Sequence, residues 1–123
     1  MRYLTDRKRA EGKGASGTGT EHHWKMSVSA VALAFMIPTF VVIVGRAIGQ
    51  SHDAVLAIFA NPFVAILTGL TLFVSMMHFK GGAQTMIEDY WGGSLRKGLI
   101  MLAIGLAWAV TATGLFALAK IAL

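Results

Sequence analysis

Apolar residues in this chain come in three long blocks separated by short polar breaks, without the strict alternation of a half-buried strand. The first block runs over residues 26–48, close to the about 20 residues that a hydrocarbon layer of about 30 Å requires. It is entered through Glu21, His22, His23, Trp24 and Lys25 and left at Gly45, Arg46 and Gly49. Trp24 stands where an interfacial anchor belongs. Pro38 predicts a kink, which a membrane helix tolerates when neighbours satisfy the freed carbonyl. A polar link at 50–53 leads to a second apolar stretch over 54–79 that contains Asn61-Pro62. Two readings fit that dipeptide: a short interfacial piece ahead of the span, or Pro62 in the first turn of the span. The second is favoured, because a proline there loses no hydrogen bond. The helix then continues past Lys80 in amphipathic form, giving a span at 62–88 that runs on towards Tyr90. Gly81 and Gly82 weaken it by about 1 kcal/mol each relative to alanine in an exposed helix. Trp91-Gly92-Gly93-Ser94 reads as a turn, and Arg96 and Lys97 precede a third span at 99–122. Gly105, Ala109 and Gly114 offer that helix small surfaces for close packing, with Trp108 as a packing residue near its middle. The pattern predicts an all-α membrane protein of three transmembrane helices.

Composition strengthens this. Only 14% of the 123 residues are charged and 55% are hydrophobic, whereas a soluble domain is about a quarter charged. The mean hydropathy is +0.63. Cysteine is absent, which excludes disulfides, thiolate metal sites and iron–sulfur ligation by this chain. The net charge of +5 raises nucleic acid as a partner, but the basic residues flank the apolar blocks. Their placement points to a lipid membrane and no nucleic acid. Residues 1–25 form a basic, glycine-rich arm without hydrophobic period, expected to be retained, irregular and able to lie across a partner. The arm carries six basic residues, the 80–97 segment three and the 46–53 link one. Lys and Arg collect on the cytoplasmic side, so the arm and the 80–97 segment are expected there. Arg46 and Lys120 would snorkel at the far face.

The chemistry concentrates between Met77 and Tyr90. On a helix, Thr71, Ser75, His78, Gly82, Thr85 and Asp89 follow one face at steps of three and four. Lipid offers such a stripe no hydrogen-bond partners, so it must face protein, a cofactor or a wet cleft. His78 is either an axial ligand to haem iron, with Gly81 and Gly82 clearing room for a macrocycle, or a histidine bonded to a neighbouring helix. Asp89-Tyr90 could bind and protonate a quinone carbonyl, although the residues alone favour an interfacial tyrosine beside a solvated acid. His22, His23 and His52 lie outside the spans and read as surface or interface residues. Ser27 is a candidate for hydrogen bonding inside the bundle. A cofactor-free three-helix structural or transport-accessory protein is the alternative that these residues leave open.

Two blocks then resemble a known family. Ser16-Gly17-Thr18-Gly19-Thr20-Glu21-His22-His23-Trp24 leads directly into the first span, and His78 is followed twelve residues later by Tyr90, beside Asp89. Both are similar to the small hydrophobic membrane-anchor subunits of succinate dehydrogenase (respiratory complex II), in their alphaproteobacterial and mitochondrial-like form. The resemblance covers essentially the whole chain. It implies one half of a two-subunit haem-binding bundle in the bacterial inner membrane, whose partner is a second anchor (cytochrome b) subunit. His78 takes the position of an axial ligand to the iron of haem b, Tyr90 that of the tyrosine that hydrogen-bonds ubiquinone, and Asp89 that of the acid beside it. FAD and the Fe–S clusters are implied only in the flavoprotein and iron–sulfur subunits. The direction of catalysis, succinate oxidation or fumarate reduction, depends on quinone potential and partners and stays open. Twelve helical residues put the His78 and Tyr90 Cα atoms about 18 Å apart, so haem and quinone can be neighbours.

Overall fold

The computed structural model describes residues 5, 6, 10 and 20–123, so most of the arm expected over 1–25 lies outside the described residues. Four helices follow: α1 (Glu21–Ala47), α2 (His52–Ala60), α3 (Pro62–Tyr90) and α4 (Gly93–Ala122). No strand occurs among the described residues. Helices α1, α3 and α4 are each long and apolar enough to cross a membrane. The all-α, three-span reading therefore holds, with one short helix added.

Helix α1 begins five residues before the predicted apolar block, with Glu21 in its first turn, where a carboxylate complements the positive end of the macrodipole. It runs through Pro38 to Ala47 with Arg46 in its last turn, and Gly49 turns the chain at φ +79°. That left-handed conformation strains any residue with a Cβ. Ser51 then caps α2 by accepting from the Ala54 N–H at 3.4 Å. Asn61 is extended, as a residue before proline prefers. Its Oδ1 accepts from the N–H groups of Phe63 (3.0 Å) and Val64 (3.4 Å), while Pro62 takes the first helical turn. The two readings of Asn61-Pro62 are thus both realised: a short helix precedes the span, and Pro62 opens it. Helix α3 continues unbroken through Gly81 and Gly82 to Tyr90. The following turn is only Trp91 and Gly92, and α4 starts at Gly93, six residues before the predicted span. Arg96 and Lys97 are therefore helical. The difference has a simple cause: hydropathy marks where lipid begins, whereas a helix can run on into water.

Helix α3 is the centre of the arrangement. It packs against both α1 and α4, whose backbones stay apart. Helix α2 closes the Pro62 end, touching all three. The α3–α4 contact is tight because small residues let the backbones approach. A Cβ on Gly69 would stand 3.2 Å from Leu115 Cδ2, and one on Gly114 would collide with Leu72. Ala107 is fully buried, and Thr71 and Thr111 nearly so. Each of these two threonine hydroxyls donates to its own helix, to Leu67 O and Ala107 O respectively, both at 2.7 Å, whereas the buried Thr68 hydroxyl has no hydrogen-bond partner among the described residues. Gly105, expected to pack, has nothing within 4 Å of its Cβ position, and Ala109 is exposed.

The apolar windows of α1, α3 and α4 are only 0%, 11% and 17% buried within the chain. The three spans therefore leave most of their apolar surface open, and lipid or partner helices must cover it. Overpacking the closest crossing should be felt: Gly114→Leu is expected to cost about 1–3 kcal/mol, read as a lower thermal midpoint of the detergent-purified assembly. An unchanged midpoint would mean that α3 and α4 do not approach there.

Candidate functional site

The polar stripe of α3 faces α1. His78 Nδ1 lies 2.8 Å from Ser29 Oγ, and seven residues on, Thr85 Oγ1 lies 3.0 Å from His22 Nε2. Seven residues are two helical turns, so Ser29 and His22 share one face of α1 just as His78 and Thr85 share one face of α3. Between these rungs, Gly81 lets α1 approach. A Cβ there would sit 2.6 Å from Met26 Sδ and 3.5 Å from His22 Cε1. The gap read from sequence as room for a macrocycle beside Gly81 is thus filled by Met26, and Gly81 serves helix packing. Further along the stripe, Thr71 and Ser75 line a cavity of about 300 Å³ with Ile37 and Phe40 of α1 and Gly114 and Leu118 of α4.

Ser29 Oγ has three hydrogen-bonding neighbours, His78 Nδ1 and the backbone carbonyls of Lys25 (2.9 Å) and Met26 (3.0 Å). Whichever way its hydrogen turns, Nδ1 is the engaged ring nitrogen, and Nε2 has no partner among the described residues. Metal-bound imidazoles commonly have their second nitrogen tied to a neighbouring polar group in this way. The ring is half-buried. Its open Nε2 fits the chemistry of an iron ligand, and no group of three metal-binding side chains occurs among the described residues.

Towards the end of α3 the two helices diverge into an open groove of about 470 Å³. Asp89 and Tyr90 line it from α3, and His22, His23 and Met26 from α1. Tyr90 is 78% exposed and touches Trp91 edge-on, with ring centroids 6.1 Å apart. His78 and Tyr90 belong to one uninterrupted helix, so their Cα atoms are about 18 Å apart along its axis. The groove offers a phenol and a carboxylate at one end of the bundle, and His78 lies deeper in it.

The sequence reading missed two partners. Ser27, the favoured hydroxyl, bonds back to His23 O in its own helix at 3.0 Å, while Ser29 reaches His78. His22, taken for a surface or interface residue, is tied to Thr85. The matching seven-residue spacings were the signal that could have found both. Lys80 lies within α3, as the continuation of that helix past it predicts, and its Nζ lies 5.6 Å from the centroid of the Trp108 ring. Trp108 therefore holds a cation as well as packing.

The comparisons with known proteins meet this geometry. The family described as the succinate dehydrogenase/fumarate reductase transmembrane subunit matches residues 1–116. The chain belongs to that family. It is 48% identical, over its full length and 95% of the relative, to the succinate dehydrogenase hydrophobic membrane anchor subunit of Paracoccus denitrificans. No solved structure gives a significant match. Membership makes the chain a membrane-anchor subunit of succinate dehydrogenase, multi-pass in a bacterial inner membrane and part of an enzyme complex with catalytic subunits.

The α1–α3 register is directly testable because the chain has no cysteine. Met26→Cys with Gly81→Cys should close a disulfide under mild oxidation, since the Gly81 Cβ position adjoins the Met26 side chain. Oxidised protein should take up no thiol reagent and reduced protein should take up two equivalents. Full labelling after oxidation would refute the register.

Proposed function

We propose that this chain is one half of a two-subunit haem-binding bundle and forms part of the ubiquinone site of succinate dehydrogenase. The observation that carries the reading is the Ser29–His78 hydrogen bond, which commits Nδ1 and leaves Nε2 able to hold iron, on the same unbroken helix that ends in the Asp89-Tyr90 groove. His78 holds haem b from this side, and a histidine of the second anchor (cytochrome b) subunit completes the pair. Haem b, when bound, supplies a one-electron store inside the membrane.

Tyr90 donates its phenolic hydrogen to a ubiquinone carbonyl, and Asp89 beside it orients that phenol and relays protons. Met26 and Met86 give the groove soft apolar walls suited to a flat ring. The N-terminus and the α3–α4 turn face the cytoplasm, as the six basic residues of the arm require. The iron–sulfur subunit then docks over the Tyr90 end, with the flavoprotein beyond it. Fe–S clusters and FAD reside in those two partners. Electrons taken from succinate reach ubiquinone at this end of the bundle and enter the respiratory chain. The open apolar surface of the spans is covered by the second anchor and by lipid.

Two variants test the assignment in the intact complex. His78→Ala should remove or shift the b-type signal in a reduced-minus-oxidised optical spectrum, and an unaltered spectrum would exclude His78 as ligand. Tyr90→Phe should leave that spectrum intact and lower quinone reductase turnover by about ten-fold or more, the scale of one lost proton-handling group. Unchanged turnover would remove Tyr90 from the quinone site.

A further inference from the structure

The two histidines bonded across the α1–α3 seam are held in opposite senses. Ser29 engages Nδ1 of His78 and leaves Nε2. Thr85 engages Nε2 of His22 and leaves Nδ1. Thr85 Oγ1 also lies 3.2 Å from Gly81 O, a second acceptor for its hydrogen. The tether holds the His22 ring by Nε2 and leaves Nδ1 without a partner among the described residues. The first arrangement leaves Nε2 open on one ring, and the second leaves Nδ1 open on the other.

The surroundings of His22 suit that role. It lines the same groove as Asp89 and Tyr90 and is exposed to solvent, so it can be reloaded from water. His23 also lines the groove, but its imidazole makes no hydrogen bond to a described residue, and only its backbone carbonyl is engaged, by Ser27. Among the described residues, Glu21 and Lys25 are the charged residues beside His22 on α1, and the nearby turn of α3 carries Glu88, which accepts from Gln84 at 2.9 Å. A phenol anchors a carbonyl well but parts with its proton reluctantly at neutral pH, and an ionised carboxylate has none to give. Imidazole is the side chain suited to proton delivery in that range.

We propose that His22, oriented by Thr85, is the proton donor to the quinone bound in the groove; this rests on the quinone reading of Tyr90 given above. Reduction of the quinone to quinol takes two electrons and two protons. The electrons arrive one at a time from the iron–sulfur subunit. As negative charge builds on a carbonyl oxygen, the Nδ1–H bond of the His22 imidazolium breaks and a quinol O–H bond forms. The ring is left neutral with Nε2–H still on Thr85. Water at the groove mouth restores the proton on Nδ1, and the other carbonyl oxygen, on the opposite side of the ring, takes its proton from solvent to complete the quinol.

The test is succinate:ubiquinone reductase turnover of the intact complex, per bound flavin, with a short-chain ubiquinone. His22→Ala should lower kcat by about ten-fold or more with little change in quinone KM. Added imidazole should restore turnover several-fold, because the groove is open to solvent. Full turnover in His22→Ala overturns the proposal, and so does a loss that imidazole leaves untouched, which would make His22 a strut between helices. Should His22→Ala fail to assemble, His22→Gln keeps an N–H for Thr85 yet cannot deliver a proton; it should keep the haem spectrum and lose turnover, and full turnover again overturns the assignment. Tyr90→Phe is measured alongside. If it alone is impaired, only the His22 role falls; if neither variant is impaired, the quinone binds elsewhere and the reading of the groove falls with it.

Discussion

Polar atoms placed in a hydrocarbon layer must find partners inside the protein, and the seam between α1 and α3 is built on that requirement. Two rungs, Ser29–His78 and His22–Thr85, align the helices in one antiparallel register. A shift of one residue along either helix would rotate these side chains by about 100° and leave an imidazole without a partner. The seam therefore does more than join two helices. It sets the depth of His78, brings the first turn of α1 alongside the last turns of α3, and so creates the groove in which Tyr90 and Asp89 stand. Met26, pressed into the space over Gly81, holds the two helices close between the rungs.

The other side of α3 follows a different logic. Against α4 the contact is almost wholly apolar, with Gly69 and Gly114 receiving leucines from the facing helix and threonine hydroxyls turned back onto their own carbonyls. Van der Waals packing between small surfaces, the usual source of helix association in lipid, is sufficient there. Lys80 is the exception, its ammonium placed over the Trp108 ring. The backbones of α1 and α4 stay apart, and their side chains share only the cavity walled by Ile37, Phe40, Gly114 and Leu118. The open apolar surface of the chain suits a subunit that completes its core only within a larger assembly.

The same chemical device appears twice in the seam with different results. A helical serine or threonine faces a histidine across it, and each hydroxyl engages a different ring nitrogen: Ser29 meets Nδ1 of His78, and Thr85 meets Nε2 of His22. The nitrogen left open therefore differs between the two rings, Nε2 on His78 and Nδ1 on His22.

The spans themselves were legible in the sequence, because a fixed hydrocarbon thickness demands apolar runs of fixed length whatever they pack against. Pro62 as a helix opener, the passage of α3 through Gly81-Gly82, and a polar stripe that could not face lipid were equally readable, since each follows from the local chain. So was the His78–Tyr90 spacing that carries the family resemblance. The early start of α4 at Gly93 was not, because helix ends in water are set by caps and turns and not by hydropathy. The choice of Ser29 over Ser27, the pairing of His22 with Thr85 and the filling of the Gly81 gap by Met26 belong to the tertiary structure alone. Ser27 and Ser29 are about 200° apart around α1, and its composition does not tell which side turns to α3. Only the packed pair decides that, and with it which atoms of each histidine remain free.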